Sequence, residues 1–206
     1  MSPAEVAEIV AGGFDTLEKR TGIKIELTRP VVPYIVQMAQ GFPYYAHLLA
    51  GSAGELALRD GSWRIDQKAL VSALSKALDE AQQSIRASYT EAVDSTMKTA
   101  QFSETLLACA LANVNELGFF APVDVCDPIS QLLGSRKETS NFVHRLHRFA
   151  DDPSWILETR GEGRKMRYRF TNPLIKPFVV IKGVRDGLLD VEDGKLVIKR
   201  TNRSNR

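Results

Sequence analysis

The run Lys137-Glu138-Thr139-Ser140-Asn141-Phe142-Val143-His144-Arg145-Leu146-His147-Arg148-Phe149 decides how this chain is read, together with the two runs that follow it, Trp155-Ile156-Leu157-Glu158-Thr159 and Lys165-Met166-Arg167-Tyr168-Arg169-Phe170. Wound as a helix over about residues 137–149, the first run gathers Phe142, Val143, Leu146 and Phe149 on one side. Lys137, Ser140, Asn141, His144 and Arg148 fall on the other. The second and third runs read as a strand and an alternating return strand, joined by the turn Gly161-Glu162-Gly163. Upstream, Gln101 to Asn115 reads as a helix with Phe102, Leu106, Cys109, Ala110 and Val114 inward, ended by Gly118. Asp127-Pro128 opens a short helix through Ile129, Leu132 and Leu133, and Gly134-Ser135 turns the chain into the quoted run.

Three helices and a hairpin in about 70 residues are the plan of a winged helix-turn-helix, whose third helix enters the DNA major groove while the wing touches the backbone. The exposed face carries the groups this needs. Lys137 and Arg148 can neutralise phosphates, Asn141 and Arg148 can make bidentate bonds to base edges, and Arg136, Ser140 and His144 stand with them as candidate DNA contacts. Arg160, Arg164 and Lys165 on the wing can follow a phosphate strand. The competing reading is a winged helix used for protein contacts, with a polar face that is merely solvated.

Outward from there, the first half reads as helices. Ser2-Pro3-Ala4-Glu5 is a helix start, with Ser as N-cap, Pro at the first position and Glu three residues on. Val6, Ile9, Val10, Phe14 and Leu17 follow at helical spacing; Gly12-Gly13 weakens the middle and Gly22 ends it. A second helix after Thr28-Arg29-Pro30 is expected to bury Val32, Ile35, Val36 and Ala39. Gly41 stops it, and Pro43 starts a third helix over Tyr44 to about Leu58. After the turn Asp60-Gly61, Asp66 caps a long helix with Leu70, Leu74, Leu78, Ala81 and Ile85 along one side, running to about Val93. A short strand at Ile23–Leu27 is the sole strand signal in this half. Near the end, Gly187 to Lys199 reads as a hairpin turning at Asp193-Gly194, added late to the winged helix.

Length and charge divide the chain in the same way. Its 206 residues suit one large domain or two small ones. Residues 1–95 hold 9 Lys/Arg and 12 Asp/Glu, whereas residues 96–206 hold 18 and 13. The expected domains are therefore a helical bundle over 1–95, the winged helix over 96–186, and a hairpin with a basic tail over 187–206, with any polyanion partner on the second. No apolar run reaches the ~18 residues of a membrane span, and the N-terminal residues lack a signal-peptide pattern. Cys109 and Cys126 are too few for a disulfide scaffold and too isolated for a zinc site. A reducing cytoplasm is the expected location.

The order of these elements resembles the C-terminal part of an AAA+ ATPase of the origin-recognition and archaeal-initiator type. The resemblance is carried by Ser2 to Val10, Gly41-Phe42-Pro43 and the helix opened by Asp66. In the second half it is carried by Phe142 to Phe149, by Tyr168-Arg169-Phe170-Thr171-Asn172-Pro173 and by Pro177-Phe178-Val179. It covers roughly residues 2–183 and implies a helical lid followed by a DNA-binding winged helix. It also implies ATP and Mg²⁺ as cofactors of a nucleotide-binding core, which could itself be a partner, as could other protein subunits. Two features depart from the family. Tyr44 stands where the family's Gly-x-Pro is followed by a sensor Arg, and no G-x-x-x-x-G-K-[ST] loop occurs. The chain is thus expected to lack cofactors and ATP hydrolysis of its own. Two alternatives stay open: a protein-interaction module of a signalling or defence ATPase, and a stand-alone winged-helix transcription regulator.

Other chemistry is poorly supplied. His144 and His147 stand i, i+3 but lack a third ligand, so no metal is expected. His47 lies in an apolar stretch and reads as a core or interface histidine. Cys109 reads as core, Cys126 lacks a His partner, and Ser52 and Ser103 lie in no nucleophile elbow. Phe42, Tyr44 and Tyr45 read as bundle core, with adenine stacking in a parent ATPase as the other use.

Overall fold

The computed structural model describes residues 1–97, 100–151 and 155–199. The chain is mainly helical, with three small two-stranded sheets among the described residues. It divides into two compact units. One comprises Met1–Ala81 with Ile181–Val197; the other comprises Gln82–Val180 with residues 198–206. The charge reversal sets the expected boundary between residues 95 and 96, whereas the division falls at Ala81. The late hairpin falls with the first unit as far as Val197, while Ile198 is grouped with the second.

The first unit is built from α1 (Pro3–Thr21), β1 (Glu26–Leu27), α2 (Val31–Ala39), α3 (Pro43–Arg59), β2 (Arg64–Ile65) and α4 (Gln67–Glu80). The Ser2 hydroxyl accepts from the Glu5 N–H at 3.3 Å while Glu5 accepts from the Ser2 N–H at 2.7 Å, the reciprocal cap expected for α1. The helix runs through Gly12-Gly13 and ends at Gly22 in the left-handed region. Gly41 adopts φ +81°, and a Cβ there would come within 2.9 Å of the Met1 carbonyl oxygen, so only glycine suits this turn. Asp66 caps α4 by accepting from the Ala69 N–H at 2.8 Å. Val6, Val10, Tyr34, Ile35, Met38, Tyr45, Leu49, Leu70 and Leu74 form the core. The buried side of α2 differs from expectation: Val31, Tyr34, Ile35 and Met38 are buried, while Val32 and Val36 are only half-buried. Tyr34 displaces the valines because its ring is the larger apolar surface and its hydroxyl accepts from Gln67 Nε2 at 2.6 Å. β1 pairs in parallel with β2, a strand that its two-residue length leaves invisible in the sequence.

The long fourth helix is two helices. Ala81 (ψ 151°) and Gln82 (ψ 134°) are extended, and α5 (Gln83–Val93) starts afresh. Neither glycine nor proline marks the break. It lies where burial passes from the first core, with Leu70, Leu74 and Leu78, to the second, with Ile85, Tyr89 and Ala92.

The second unit continues with α6 (Phe102–Leu111), α7 (Pro122–Leu133), a 3-10 turn at Thr139–Asn141, α8 (Val143–Ala150), β3 (Leu157–Arg160), a second 3-10 turn at Gly163–Lys165 and β4 (Arg167–Phe170). Helix α9 (Ile175–Arg185) follows, and then the hairpin β5 (Leu189–Glu192) and β6 (Lys195–Ile198). Helix α6 stops at Leu111, short of the expected Asn115, because the Asn115 side chain accepts from the Leu117 and Phe119 N–H groups at 3.0 Å each. Val114, expected inside, is 46% exposed. Helix α7 begins at Pro122, five residues before the expected Asp127. Pro122 occupies the first turn, Asp124 accepts from the Ala121 N–H at 2.7 Å, and Pro128 is accommodated inside the helix. The core contains Leu106, Phe120, Val125, Ile129, Phe142, Leu146, Phe149, Ile156 and Tyr168. Cys109 is buried in it.

Candidate nucleic-acid interface

The expected recognition helix is shorter than its sequence pattern. Residues 139–141 form a 3-10 turn, Phe142 leaves helical geometry at φ −139°, and α8 spans only Val143–Ala150. Asn141 supplies the physical cause. Its Oδ1 accepts from the Glu138 N–H at 2.8 Å, closing a local turn in place of a helical one. Of the four residues on the apolar side, Phe142, Leu146 and Phe149 are fully buried while Val143 is half-buried, and the Phe149 ring meets Phe102 edge-on at 6.0 Å.

On the polar side the candidates fare differently. Ser140 and His144 are exposed. Arg148 is exposed as well but tied down: its guanidinium lies 4.1 Å over the Phe102 ring, and Nη2 donates to the Asp94 carbonyl at 2.7 Å. Arg145, which sequence reasoning passed over, donates to Gln101 Oε1 at 3.2 Å and to Thr105 Oγ1 at 3.4 Å. Burial holds its pKa below the usual guanidinium value. His147 meets the Tyr168 ring edge-on at 6.2 Å. Arg136 and Lys137 line an open cleft of about 1010 Å³ beside α7, with Cys126 and Ser130. The Lys137 N–H donates to Ser130 Oγ at 2.8 Å. Burial raises the Cys126 thiol above its ordinary pKa, the opposite of what a nucleophile needs.

The hairpin is a better-organised group. Its Cα partners are Leu157 with Phe170, Glu158 with Arg169, Thr159 with Tyr168, and Arg160 with Arg167. Trp155 and Ile156, expected in the first strand, precede it, and Lys165 lies in the turn. On the inner side Leu157 and Tyr168 are fully buried, and burial raises the Tyr168 phenol pKa. Phe120 exchanges both backbone hydrogen bonds with Tyr168 at 2.9 Å, so β4 is supported on both edges. On the outer side Arg169 Nε donates to Glu158 Oε1 at 2.6 Å, and its guanidinium lies 4.5 Å over the Phe119 ring.

One step toward the turn, the same outer side presents Arg160 opposite Arg167. The tip then adds Arg164 and Lys165, with Glu162 the lone acid from Arg160 to Arg167. All four cations are exposed, and none forms an ion pair among the described residues. The tip is tightly wound. Lys165 N–H donates to the Glu162 carbonyl at 3.0 Å, Met166 N–H donates to the Gly163 carbonyl at 3.2 Å, and Gly161 takes φ +86°. Sequence reasoning named Arg160, Arg164 and Lys165 but missed Arg167. The turn read at Gly161-Glu162-Gly163 pairs Arg160 with Arg164; the 3-10 turn at Gly163–Lys165 lengthens the connection and shifts the partner to Arg167.

No protein-family model, curated protein or solved structure matches the chain.

Ser52 is buried with its hydroxyl 3.3 Å from Glu80 Oε2. Tyr45 is fully buried with the Tyr44 ring edge-on at 4.9 Å. His47, expected as a core or interface histidine, is not in the core: it is exposed beside an apolar groove of about 330 Å³ between α1 and α3, lined by Ile9, Phe14, Leu17 and Leu58. No three His, Cys, Asp or Glu side chains gather into a metal-binding group among the described residues. No described helix is long and apolar enough to cross a membrane. The basic tail, residues 200–206, lies outside the described residues.

Proposed function

We propose that the second unit is a winged helix-turn-helix that binds duplex DNA, with the β3–β4 hairpin as its principal contact. The reading is carried by Arg160 and Arg167. These like charges are Cα partners in an antiparallel ladder, a placement that ordinarily costs stability, and neither has an acidic partner among the described residues. Arg164 and Lys165 extend the same patch. A polyanion whose charges recur every few ångströms relieves the repulsion, and the phosphate backbone of a duplex has that form. The α6–α7–α8 order with the hairpin beside it supports a groove-side approach. On this reading the first unit is the lid-like bundle, and Tyr44, packed on Tyr45, does not act as a nucleotide sensor.

The test is fluorescence anisotropy of the full chain with a labelled duplex over a salt series. Four cations on phosphates give a log–log slope of roughly −3 to −4. Arg164→Ala flattens that slope by about 1 and weakens every duplex alike. Absence of binding at low salt, or a slope untouched by Arg164→Ala, sinks the reading in favour of a protein partner.

A further inference from the structure

We infer that the second unit takes the phosphate backbone of a duplex as its ligand irrespective of base sequence, with one phosphate clasped between Arg160 and Arg167. This rests on the DNA-binding reading above and specifies what is read.

The base-reading equipment of a recognition helix is committed elsewhere. Asparagine reads adenine with both ends of its amide, Oδ1 accepting while Nδ2 donates. Asn141 Oδ1 is already engaged by the Glu138 N–H at 2.8 Å. Arginine reads guanine with two parallel donors. Arg148 has Nη2 on the Asp94 carbonyl and its plane on Phe102, and Arg145 has Nη1 and Nη2 on Thr105 and Gln101. What α8 leaves exposed without such a tie is His144 and, edge-on to the Tyr168 ring, His147, two imidazoles on an eight-residue helix. The hairpin is the reverse case. Neighbouring register pairs on its outer side differ in one respect: Glu158–Arg169 is neutralised internally, whereas Arg160–Arg167 is doubly positive. Directly opposed side chains in such a ladder have Cβ atoms about 4.5–5.5 Å apart, a span that lets two guanidinium groups bracket one phosphate. Gly161 fixes what lies beyond the pair. At φ +86° its missing Cβ would sit 2.7 Å from the Lys165 carbonyl oxygen, so the turn folds back closely enough to set Arg164 and Lys165 just past the clasp.

The experiment measures the full chain against alternating A·T, alternating G·C and mixed duplexes of equal length, and against phosphatidylserine-containing vesicles. Affinities for the three duplexes are expected within about threefold of one another, because phosphate contacts carry no sequence information. Asn141→Ala and His144→Ala leave them unchanged. Arg160→Glu recreates across from Arg167 the pairing that Glu158 makes with Arg169. It therefore lowers affinity at least ~10-fold on every duplex, yet raises the melting midpoint of the free protein by about 1–4 °C. A preference of tenfold or more for one duplex, abolished by Asn141→Ala, overturns sequence independence while leaving DNA binding standing. Unchanged affinity in Arg160→Glu removes the clasp. Tighter binding to vesicles than to any duplex transfers the site to a lipid surface, and binding to no duplex removes the parent reading as well; either overturns the inference.

Discussion

The β3–β4 and β5–β6 hairpins have strands of the same length, four residues each, and both turn on glycine, yet they are built for different ends. The first is rooted: Leu157 and Tyr168 are fully buried and Phe170 nearly so. The second buries Leu189, while Leu196, Val197 and Ile198 stay half-exposed. Their tips differ in sign. Arg160, Arg164, Lys165 and Arg167 face a single Glu162 on the first; Glu192 and Asp193 stand against Lys195 on the second. In the second, Asp193 and Gly194 both take positive φ, which suits a two-residue hairpin turn and asks nothing further of the tip. A hairpin is thus a generic device for reversing the chain. Its use is set by what holds its base and by which charges its tip leaves unpaired.

The sharpest way to break this comparison is at the base. Tyr168→Ala empties a fully buried site against Phe120, and should destabilise the second unit by about 3–5 kcal/mol in a urea titration. Leu196→Ala, half-exposed on β6, should cost under about 1.5 kcal/mol. Comparable losses would mean the two hairpins are equally rooted.

Next is the turn. Gly161→Ala must resolve both φ +86° and a 2.7 Å approach to a backbone oxygen, with an expected cost of about 2–3 kcal/mol and weakened duplex binding. Gly194→Ala meets only the backbone conformation, since nothing lies within 4 Å of its Cβ, and should cost about 1 kcal/mol with binding intact. Equal costs would show that the close packing at Gly161 yields without effect.

The smallest expected difference is at single cations. Lys165→Ala should weaken duplex binding by about 1 kcal/mol, whereas Lys195→Ala should leave it within error by anisotropy. Arg148→Ala belongs with the latter in binding, and should show its effect, about 1 kcal/mol, as lost stability. A binding loss in Arg148→Ala without destabilisation would return α8 to the interface.

The sequence alone determined what depends on neighbours in the chain. The Ser2 and Asp66 caps, the Gly22 and Gly41 stops, the Asp193-Gly194 turn and the buried side of α8 were all legible, because side chains within a few residues settle each of them. The cationic tip was legible too, but for Arg167, as a local cluster around a glycine turn. What only the tertiary structure decided depends on distant partners. The helix expected to run from Asp66 to Val93 breaks at Ala81 because two separate cores claim its two apolar stretches, and nothing in Glu80-Ala81-Gln82 announces it. Strand β2 exists because β1 lies beside it. Arg148 stays exposed but is tied down, and Arg145 is half-buried, because Phe102, Asp94, Gln101 and Thr105, 40 to 54 residues earlier, offer an aromatic ring and oxygens that periodicity cannot foresee. Periodicity places a side chain on a side of its helix, and tertiary packing decides whether that side faces solvent or another part of the chain.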